Sequence, residues 1–537
     1  MRISAATARL TRDAARDAYC RAAKHTDKTA FALSLTRVVA ANRKSRMRNA
    51  LKALGAGALL LAVLPAGAAV PARPRLSACE LEHPLRLSVL PAECGTLSVA
   101  ENPQQPQGRH IELHFARVPA ISRRKLPDPL IVLAGGPGAA ATAFYASVAG
   151  AFARIHRDRD IILLDQRGTG GSHPLNCGRD REPLYRASEA EIAADTRRCL
   201  AELSARAAVQ YYTTSLAVAD LEQLRAALGY PRVNLYGTSY GTRVAQHYLR
   251  RFGAHVRSVI LDGVVSATQA VGANSALDAE AALTRVLARC AGDAACGGRY
   301  GDPLSAYHGV RTALAARAVP VSVADPTSGE PTHFDFGSDQ LATVLRLASY
   351  TPEYAALLPL LLHDAAVAHD FTPLAAQFLL IERSYAEALA TGMHNSVVCA
   401  EDVPFYDLAR IDRARLAGTF LGTLQLDGLI TACRNWPHGP VDADFHAPLH
   451  SEVPVLLLSG SDDPVTPPQY AEQARAGLPH ARHVVLQGFG HGQLTAPCVD
   501  RLMARFLERA DADSLDVACV RGAHPQAFFT SRNGPAP

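Results

Sequence analysis

The pattern Gly237-Thr-Ser239-Tyr-Gly241 carries the strongest chemical signal in the sequence. It follows a short apolar run, Val233–Tyr236, and precedes a stretch of helical character at 242–251. A serine on a sharp turn between a strand and a helix exposes its hydroxyl, and small flanking residues let neighbouring chains approach closely. The pattern therefore predicts Ser239 as a nucleophile.

A serine nucleophile needs a general base, because the neutral hydroxyl attacks poorly. His491 lies in Gly488-Phe-Gly490-His491-Gly492, directly after the apolar run Val484–Leu486. It follows the serine in the chain and lies in the loop after a predicted strand, which is the usual place of the histidine base in such serine hydrolases. We therefore predict that His491 takes the proton of Ser239 and later returns it to the leaving group.

The base in turn needs an acid that holds its second ring nitrogen. Asp463 is the predicted acid, since it lies in the loop that follows the apolar run Val455–Leu458. The resulting chain order of serine, aspartate and histidine is one of the known orders of a catalytic triad. Asp462 is the nearest alternative, and Asp262, at the end of Val259–Leu261, is a more distant one.

A glycine-rich segment, Gly135-Gly-Pro-Gly138, follows another apolar run, Leu130–Leu133. Glycines allow backbone N–H groups to approach an oxyanion, and this position suits the second donor of an oxyanion hole. We predict the N–H of Tyr240 as the first donor and that of Gly136 as the second, with Gly135 as the neighbouring alternative. A plain Gly-Pro turn is the competing interpretation.

These residues must be positioned by a sheet, and the sequence predicts one. A polar turn at 102–108 separates two alternating stretches between about Leu85 and Ala120, which indicates a β-hairpin. Short, continuously apolar runs then alternate with helix-length segments, a pattern typical of a parallel sheet covered by helices on both faces. The predicted strands are Leu130–Leu133, Ile161–Leu164, Val233–Tyr236, Val259–Leu261, Val455–Leu458 and Val484–Leu486.

The alternation stops between residues 267 and 447, where helical periodicity dominates. We predict that this segment is a mainly helical cap inserted into the sheet domain, whose two parts are then 73–266 and 448–537. A short hairpin is expected at Val319–Phe336, and Ser338 is the expected N-cap of the helix that follows it. The predicted cap helices are Ala276–Arg289, Gln340–Ser349, Tyr354–Ala368 and Pro373–Ala390.

The amino-terminal segment has its own composition. Residues 47–72 combine basic residues, an apolar run and a stretch of small residues, which predicts a signal peptide and an exported, periplasmic or secreted protein. An uncleaved membrane anchor is the alternative, although the run is too short to span a bilayer, so no stable membrane insertion is expected. Residues 1–46 are a doubtful leader, rich in Arg and Ala and without the apolar pattern of a folded core.

The formal net charge of +5 does not indicate nucleic-acid binding. Residues 1–72 hold thirteen Lys and Arg against three Asp, a net charge of +10, which leaves −5 for the remainder. A mildly acidic body without a basic stripe gives no support to a nucleic-acid partner.

Ten cysteines follow the amino-terminal segment, and an even number in an exported chain suggests disulfides. In sequence order they form the local pairs 79–94, 177–199, 290–296, 399–433 and 498–519. A mixture of bridges and buried free thiols is the alternative. No Cys/His spacing typical of zinc is present, and we predict no metal site.

Several motifs together resemble the proline iminopeptidase and tripeptidyl aminopeptidase branch of the α/β-hydrolases. They are the glycine-rich segment at 135–138, Asp165–Ser172, the turn around Ser239, 463–467 and 490–492, together with the late cysteines Cys498 and Cys519. The resemblance implies an α/β-hydrolase fold with a cap, and a serine exopeptidase that needs no cofactor. Ala134 departs from the pattern, which usually has histidine there, and this weakens prolyl specificity more than hydrolysis.

In such enzymes, acidic residues of the cap bind the free amine of the peptide substrate. The resemblance implies Glu401 and Asp402 in this role, and a buried carboxylate facing an ammonium group is a sound physical basis for amine recognition. Bonds made only within the cap are the alternative for both residues.

Two further functions fit the sequence. An esterase acting on small acyl substrates would use the same triad, and only the cap pocket would distinguish it from a peptidase. A non-catalytic binding protein on a hydrolase scaffold is the third hypothesis, and the intact Ser239, Asp463 and His491 argue against it. The sequence does not predict an oligomeric state.

Overall fold

The computed structural model describes residues 73–177, 188–326 and 328–535, with the backbone alone for 382–388. The predictions for residues 1–46 and for the signal peptide at 47–72 lie outside the described residues.

A mixed sheet forms the centre of the described chain, with strands in the order β1-β2-β3-β5-β4-β6-β7-β10-β11. The first three strands and β5 pair antiparallel, and all the other pairs are parallel. The strands are β1 (Ser77–Glu82), β2 (Val89–Ala100), β3 (His110–Val118), β4 (Leu130–Leu133), β5 (Ile161–Leu164), β6 (Val233–Thr238), β7 (Val256–Asp262), β10 (Val455–Gly460) and β11 (Ala481–Leu486), with β8 (Val319–Ala324) and β9 (Pro331–Phe336) in a separate two-stranded sheet.

The apolar runs form buried parallel strands because both faces of the sheet are covered. Alternate side chains of β4 enter different layers: Ile131 and Leu133 belong to one apolar core, and Leu130 and Val132 belong to the other. The helices on either side are α1 (Ala141–Val148), α2 (Ala153–His156), α3 (Glu189–Ser204), α4 (Thr214–Leu228), α5 (Tyr240–Phe252), α16 (Pro468–Arg475) and α17 (Val499–Arg509). This arrangement confirms the predicted α/β-hydrolase architecture.

A mainly helical insertion, called the cap below, lies between β7 and β10 and has an apolar core of its own. It contains the predicted hairpin, in which Val319 pairs with Phe336. Its helices are α6 (Ser275–Gly292), α7 (Ala294–Tyr300), α8 (Pro303–Ala316), α9 (Ser338–Ala348), α10 (Pro352–Ala355), α11 (Leu358–Val367), α12 (Thr372–Ala388), α13 (Thr391–Glu401), α14 (Arg413–Ala417) and α15 (Leu424–Arg434).

Two local predictions in the cap were wrong. The helix expected at Tyr354–Ala368 is divided into α10 and α11, and Pro359 lies in the first turn of α11, where its missing N–H costs nothing. Ser338 is the first residue of α9, and Gly337 is its N-cap, because the Gly337 N–H donates to Gln340 Oε1 at 2.9 Å.

All five disulfides expected from sequence order are present. Cys79–Cys94 joins β1 to β2, and Cys399–Cys433 joins α13 to α15. Within the described residues, none of the helices is both long and apolar enough to cross a membrane.

Candidate active site

Ser239 lies between β6 and α5, on a turn with an unusual backbone. Its φ of 54° and ψ of −125° fall in a region that non-glycine residues rarely occupy, and such strain is typical of a nucleophile elbow. A Cβ added at Gly237 would lie 2.3 Å from the Gly241 carbonyl oxygen, and one added at Gly241 would lie 2.3 Å from that of Leu133. Both glycines are therefore required by the close approach of backbone to backbone.

His491 and Asp463 meet at the carboxyl ends of the strands. His491 Nδ1 lies 2.9 Å from Asp463 Oδ2, the Asp463 side chain is fully buried, and that of His491 is 9% exposed. The loop after β10 holds the carboxylate from its other side, because the N–H groups of Val465 and Thr466 both donate to Asp463 Oδ1 at 2.8 Å. This geometry leaves Nε2 of the ring as the nitrogen available to accept a proton.

Thr466 is a further member of this network, and sequence reasoning gave it no role. Its hydroxyl donates to Asp463 Oδ2 at 2.8 Å and lies 3.1 Å from His491 Nδ1. The threonine was visible in the sequence at three residues after the acid, a spacing at which a loop carboxylate often caps the following turn. Its hydroxyl fixes the orientation of the Asp463 carboxylate.

The two alternative acids have other partners. Asp462 Oδ2 lies 3.3 Å from a guanidinium nitrogen of Arg289. Asp262 accepts hydrogen bonds from the Tyr236 hydroxyl at 2.8 Å and the Gln493 N–H at 2.9 Å. Of the three candidates, Asp463 is the carboxylate that contacts His491.

The pKa values of Asp463 and His491 are both shifted from their ordinary values. Burial opposes the charged form of Asp463, but the neighbouring His491 and the backbone N–H groups outweigh it and hold the pKa of Asp463 below its usual value. Burial would likewise lower the pKa of His491, but the Asp463 carboxylate outweighs it and raises that pKa. The site is therefore built to stabilise an imidazolium when His491 accepts a proton.

The cap helps to hold the histidine. The His491 N–H donates to the Tyr350 carbonyl oxygen at 2.7 Å, and the two rings meet edge to face with centroids 5.2 Å apart. Tyr350 lies two residues after the end of α9, so the position of His491 depends on the cap as well as on the sheet.

A cavity of about 520 Å³ opens over these groups and is lined by Ser239, His491 and the predicted oxyanion donors Tyr240 and Gly136. Gly135 also lines it, and a Cβ added there would lie 3.0 Å from Ser239 Cβ and 3.6 Å from Ser239 Oγ. Tyr240 begins α5, and the N–H groups of a first helical turn have no acceptor within the helix. The roles of Tyr240 and Gly136 as donors remain predictions.

The two cap acids lie at different depths. Asp402 lines the cavity and accepts two hydrogen bonds from the Arg243 guanidinium, at 2.8 and 3.0 Å, and one from the Val271 N–H at 2.7 Å. Glu401 is fully buried behind it and accepts from the Thr214 N–H at 2.6 Å and the Thr214 hydroxyl at 2.7 Å. Arg243, on α5, had no role in the sequence prediction.

The cluster of Asp402, Glu401 and Arg243 holds two carboxyl groups and one guanidinium. Burial raises the pKa of Glu401 to about 7, while Arg243 and the Thr214 hydrogen bonds act in the opposite direction. One guanidinium thus faces two carboxyl groups, and burial favours the neutral form of Glu401.

The loop Asp165–Ser172 makes structural contacts. Arg167 is 1% exposed, donates to both oxygens of Asp220 at 2.6 and 2.8 Å, and also donates to the carbonyl oxygens of Glu101 and Tyr211. Asp165 accepts from the Thr142 N–H and hydroxyl at 3.0 and 2.9 Å. The loop therefore joins β5 to α1 and α4.

Two family models match the chain. The model described as alpha/beta hydrolase fold matches residues 128–287, which include the Ser239 turn and the glycine-rich segment. The model described as TAP-like protein matches residues 418–519, which include Asp463 and His491.

Three curated proteins with different names are similar in sequence to this chain. Serine protease Hip1 of Mycobacterium tuberculosis is 25% identical over 70% of this chain and 77% of its own length. Tripeptidyl aminopeptidase of Streptomyces lividans is 32% identical over 33% of this chain and 36% of its own. Carboxylesterase B of Mycobacterium tuberculosis is 29% identical over 70% of this chain and 76% of its own.

One solved structure, the proline iminopeptidase of Mycobacterium smegmatis, aligns over 78% of this chain and 98% of its own with 17% identity and a TM-score of 0.34. The family matches, the observed fold and the serine hydrolase relatives agree with one another. The chain has the α/β-hydrolase fold and is a serine hydrolase, and its carboxyl-terminal region is similar to TAP-like proteins.

Proposed function

We propose that the protein is an exported serine exopeptidase that cleaves peptides from their amino terminus through an acyl-enzyme on Ser239. The observation that carries the proposal is the 2.9 Å contact between His491 Nδ1 and Asp463 Oδ2, at a cavity that Ser239 also lines. A histidine fixed in this way is oriented to activate the serine on the turn between β6 and α5.

The reaction follows from these groups. Ser239 Oγ attacks the scissile carbonyl carbon while His491 Nε2 takes its proton, and the new oxyanion lies against the N–H groups of Tyr240 and Gly136. As the intermediate collapses, the C–N bond breaks and His491 gives the proton to the leaving amine. Water then repeats the sequence on the acyl-enzyme, with its proton passing to His491 and back to Ser239.

Asp402 and Glu401 are the proposed recognition site for the substrate amine. Asp402 lines the cavity, and its cluster with Glu401 and Arg243 holds two carboxyl groups against one guanidinium. An ammonium group bound at this wall would stabilise both acids in the ionised state, which supports selection of a free amino terminus. The similarity to a tripeptidyl aminopeptidase over a third of the chain supports the same class of substrate.

Export is supported by the disulfides. Five bridges are stable in an oxidising compartment and are rare in the reducing cytosol. Together with the basic, apolar and small-residue order of 47–72, they favour a periplasmic or secreted protein.

The test compares free-amine tripeptidyl and prolyl anilides with their N-acetylated forms, using the chain from residue 74 onward and Ser239→Ala as the inactive control. We expect turnover of the free-amine anilides, a loss on acetylation and no turnover by the variant. Glu401→Gln should reduce the preference for the free amine. Equal turnover of free and acetylated anilides would contradict the exopeptidase assignment while leaving the hydrolase intact.

Ester hydrolysis is the second candidate, and the similarity to a carboxylesterase over 70% of this chain favours it. The same triad would serve, since ester and amide hydrolysis share the acyl-enzyme. A short-chain nitrophenyl ester in the same assay separates the two: turnover of the ester without any anilide would favour the esterase.

A further inference from the structure

A second cavity, of about 450 Å³, adjoins the active-site cavity and lies between α3 and the cap helices α9, α13 and α15. The two cavities share part of their walls, so a substrate that extends away from Ser239 on this side passes the shared residues. Those residues are Arg346, Leu347, His394, Gln425 and Leu429.

Arg346 is the cation of this shared wall, and its partner is neutral. It lies on α9, is half-buried, and donates from Nη1 to Gln425 Oε1 on α15 at 2.9 Å. Within the part of the chain that the structure describes, no carboxylate oxygen lies within 4.0 Å of its guanidinium. Because a guanidinium has five N–H donors, most of its hydrogen-bonding capacity is open to a ligand.

The other charged groups of the active-site cavity have partners. Arg243 is neutralised by Asp402, and Asp262 accepts from Tyr236 and the Gln493 N–H. Arg346 therefore gives the cavity a positive charge that no described carboxylate contacts, although its charge acts on Asp278, which accepts from the Tyr470 hydroxyl, and Asp195 and Asp339 line the second cavity. Its charge also reaches the reaction centre, where it acts on His491 against the effect of Asp463.

We propose that Arg346, held in place by Gln425, binds a carboxylate group of the substrate beyond the scissile bond and so selects for anionic peptides. The proposal rests on the proposed peptidase function and names its substrate class. A planar guanidinium binds a carboxylate through two parallel N–H···O bonds, which gives both affinity and orientation. Such a carboxylate can come from an acidic side chain or from the free carboxyl terminus of a short peptide.

Matched tetrapeptides separate these two sources. Ala-Ala-Ala-Ala is compared as the free acid and the carboxyl-terminal amide, and Ala-Ala-Ala-Glu amide is compared with Ala-Ala-Ala-Gln amide, since the fourth residue lies beyond the scissile bond whether one, two or three residues are removed. We expect the carboxylate member of at least one pair to have a kcat/KM about 10- to 100-fold higher, as a charge-assisted contact gives. The pair that shows the preference identifies the source.

Two variants test whether Arg346 causes the preference. Arg346→Gln removes the cation, and Gln425→Glu places a carboxylate beside the guanidinium and occupies it without removing it. Both should reduce the carboxylate-to-amide ratio to about one, which corresponds to loss of the charge-assisted contact. Arg317→Gln is the matched control, because Arg317 is an exposed cap arginine that lines neither cavity.

The possible results are distinct. A preference in the native protein that both variants lose and the control keeps would support the proposal. Equal kcat/KM within each pair, or a preference that survives in both variants, would overturn it.

If no peptide is cleaved, the peptidase function fails, and Arg346 is tested with 4-(butyryloxy)benzoate and 4-(butyryloxy)benzamide. A fall in their kcat/KM ratio on going from the native protein to Gln425→Glu would still support carboxylate binding. An unchanged ratio would overturn it.

Discussion

Asp462 and Asp463 are adjacent in the chain, but their carboxylates contact different partners. Asp463 Oδ2 lies 2.9 Å from His491 Nδ1, whereas Asp462 Oδ2 lies 3.3 Å from Arg289 on the cap helix α6. One acid therefore orients the histidine, and its neighbour joins the loop to the cap.

The first prediction compares the two acids. Asp463→Asn should lower kcat by roughly 10²- to 10⁴-fold, because the amide neither stabilises the imidazolium nor fixes the required tautomer of His491. Asp462→Asn loses contacts to partly exposed arginines and should change kcat by less than about threefold. Steady-state kinetics on one anilide or ester substrate checks both. Similar losses in the two variants would contradict the assignment of Asp463.

The second prediction concerns pH. The Asp463 carboxylate raises the pKa of His491 above its ordinary value of 6.5, and only the neutral ring can accept the Ser239 proton. Activity should therefore rise with pH through a midpoint above 6.5, and Asp463→Asn should move that midpoint downward. The rate of Ser239 labelling by a fluorophosphonate, measured from pH 5 to 9, reports the midpoint even in a slow variant. Identical midpoints in the two proteins would be the contrary result.

The third prediction concerns Gly135. Alanine there would bring a Cβ to 3.0 Å from Ser239 Cβ and 3.3 Å from the Thr238 carbonyl oxygen, so Ser239, the proposed nucleophile, must shift by a few tenths of an ångström. We expect kcat to fall roughly tenfold while the urea midpoint changes little, because catalysis is more sensitive to small displacements than stability is. Gly150→Ala is the control, since its Cβ would meet nothing within 4 Å. A fully active Gly135→Ala protein would argue against close contact at the nucleophile.

The sheet was predictable because its parallel strands are buried on both faces and leave continuous apolar runs, as in Leu130–Leu133 and Ile161–Leu164. Strand β1, Ser77–Glu82, was missed because it is a largely exposed edge strand with one buried position, Leu81. The break between α10 and α11 before Pro359 was not predicted, because the apolar periodicity of the sequence continues across it.

The contacts of the site were less predictable than its residue types. The Arg243–Asp402 pair joins α5 to the cap across 159 residues, and no local pattern reports such a pairing. Thr466 lay in a motif already noted, but its contact with Asp463 depends on how the loop turns after β10. Loop conformation and long-range packing, rather than composition, decide these contacts.

The fourth prediction tests the loop Asp165–Ser172. Arg167→Met leaves the Asp220 carboxylate buried and unpaired, which should lower the free energy of unfolding by about 3 to 5 kcal/mol. Arg157→Met removes an exposed ion pair with Asp158 and should cost less than about 1 kcal/mol. Urea unfolding followed by circular dichroism measures both values. Equal losses would contradict the structural role of Arg167.

The fifth prediction uses Glu401, whose pKa burial raises to about 7 from an ordinary value of 4.5. A carboxyl group with a raised pKa in the folded state binds its proton more tightly there, so its stabilisation is complete below pH 4.5 and is lost as pH rises through 7. Glu401→Gln stays neutral and should lose less stability than the native protein between pH 5 and 8, by on the order of 2 kcal/mol. The exposed Glu330→Gln should follow the native curve. Parallel curves for the native protein and Glu401→Gln would show that Glu401 is already ionised at pH 5, and that the acid cluster does not need a bound ammonium to become fully charged.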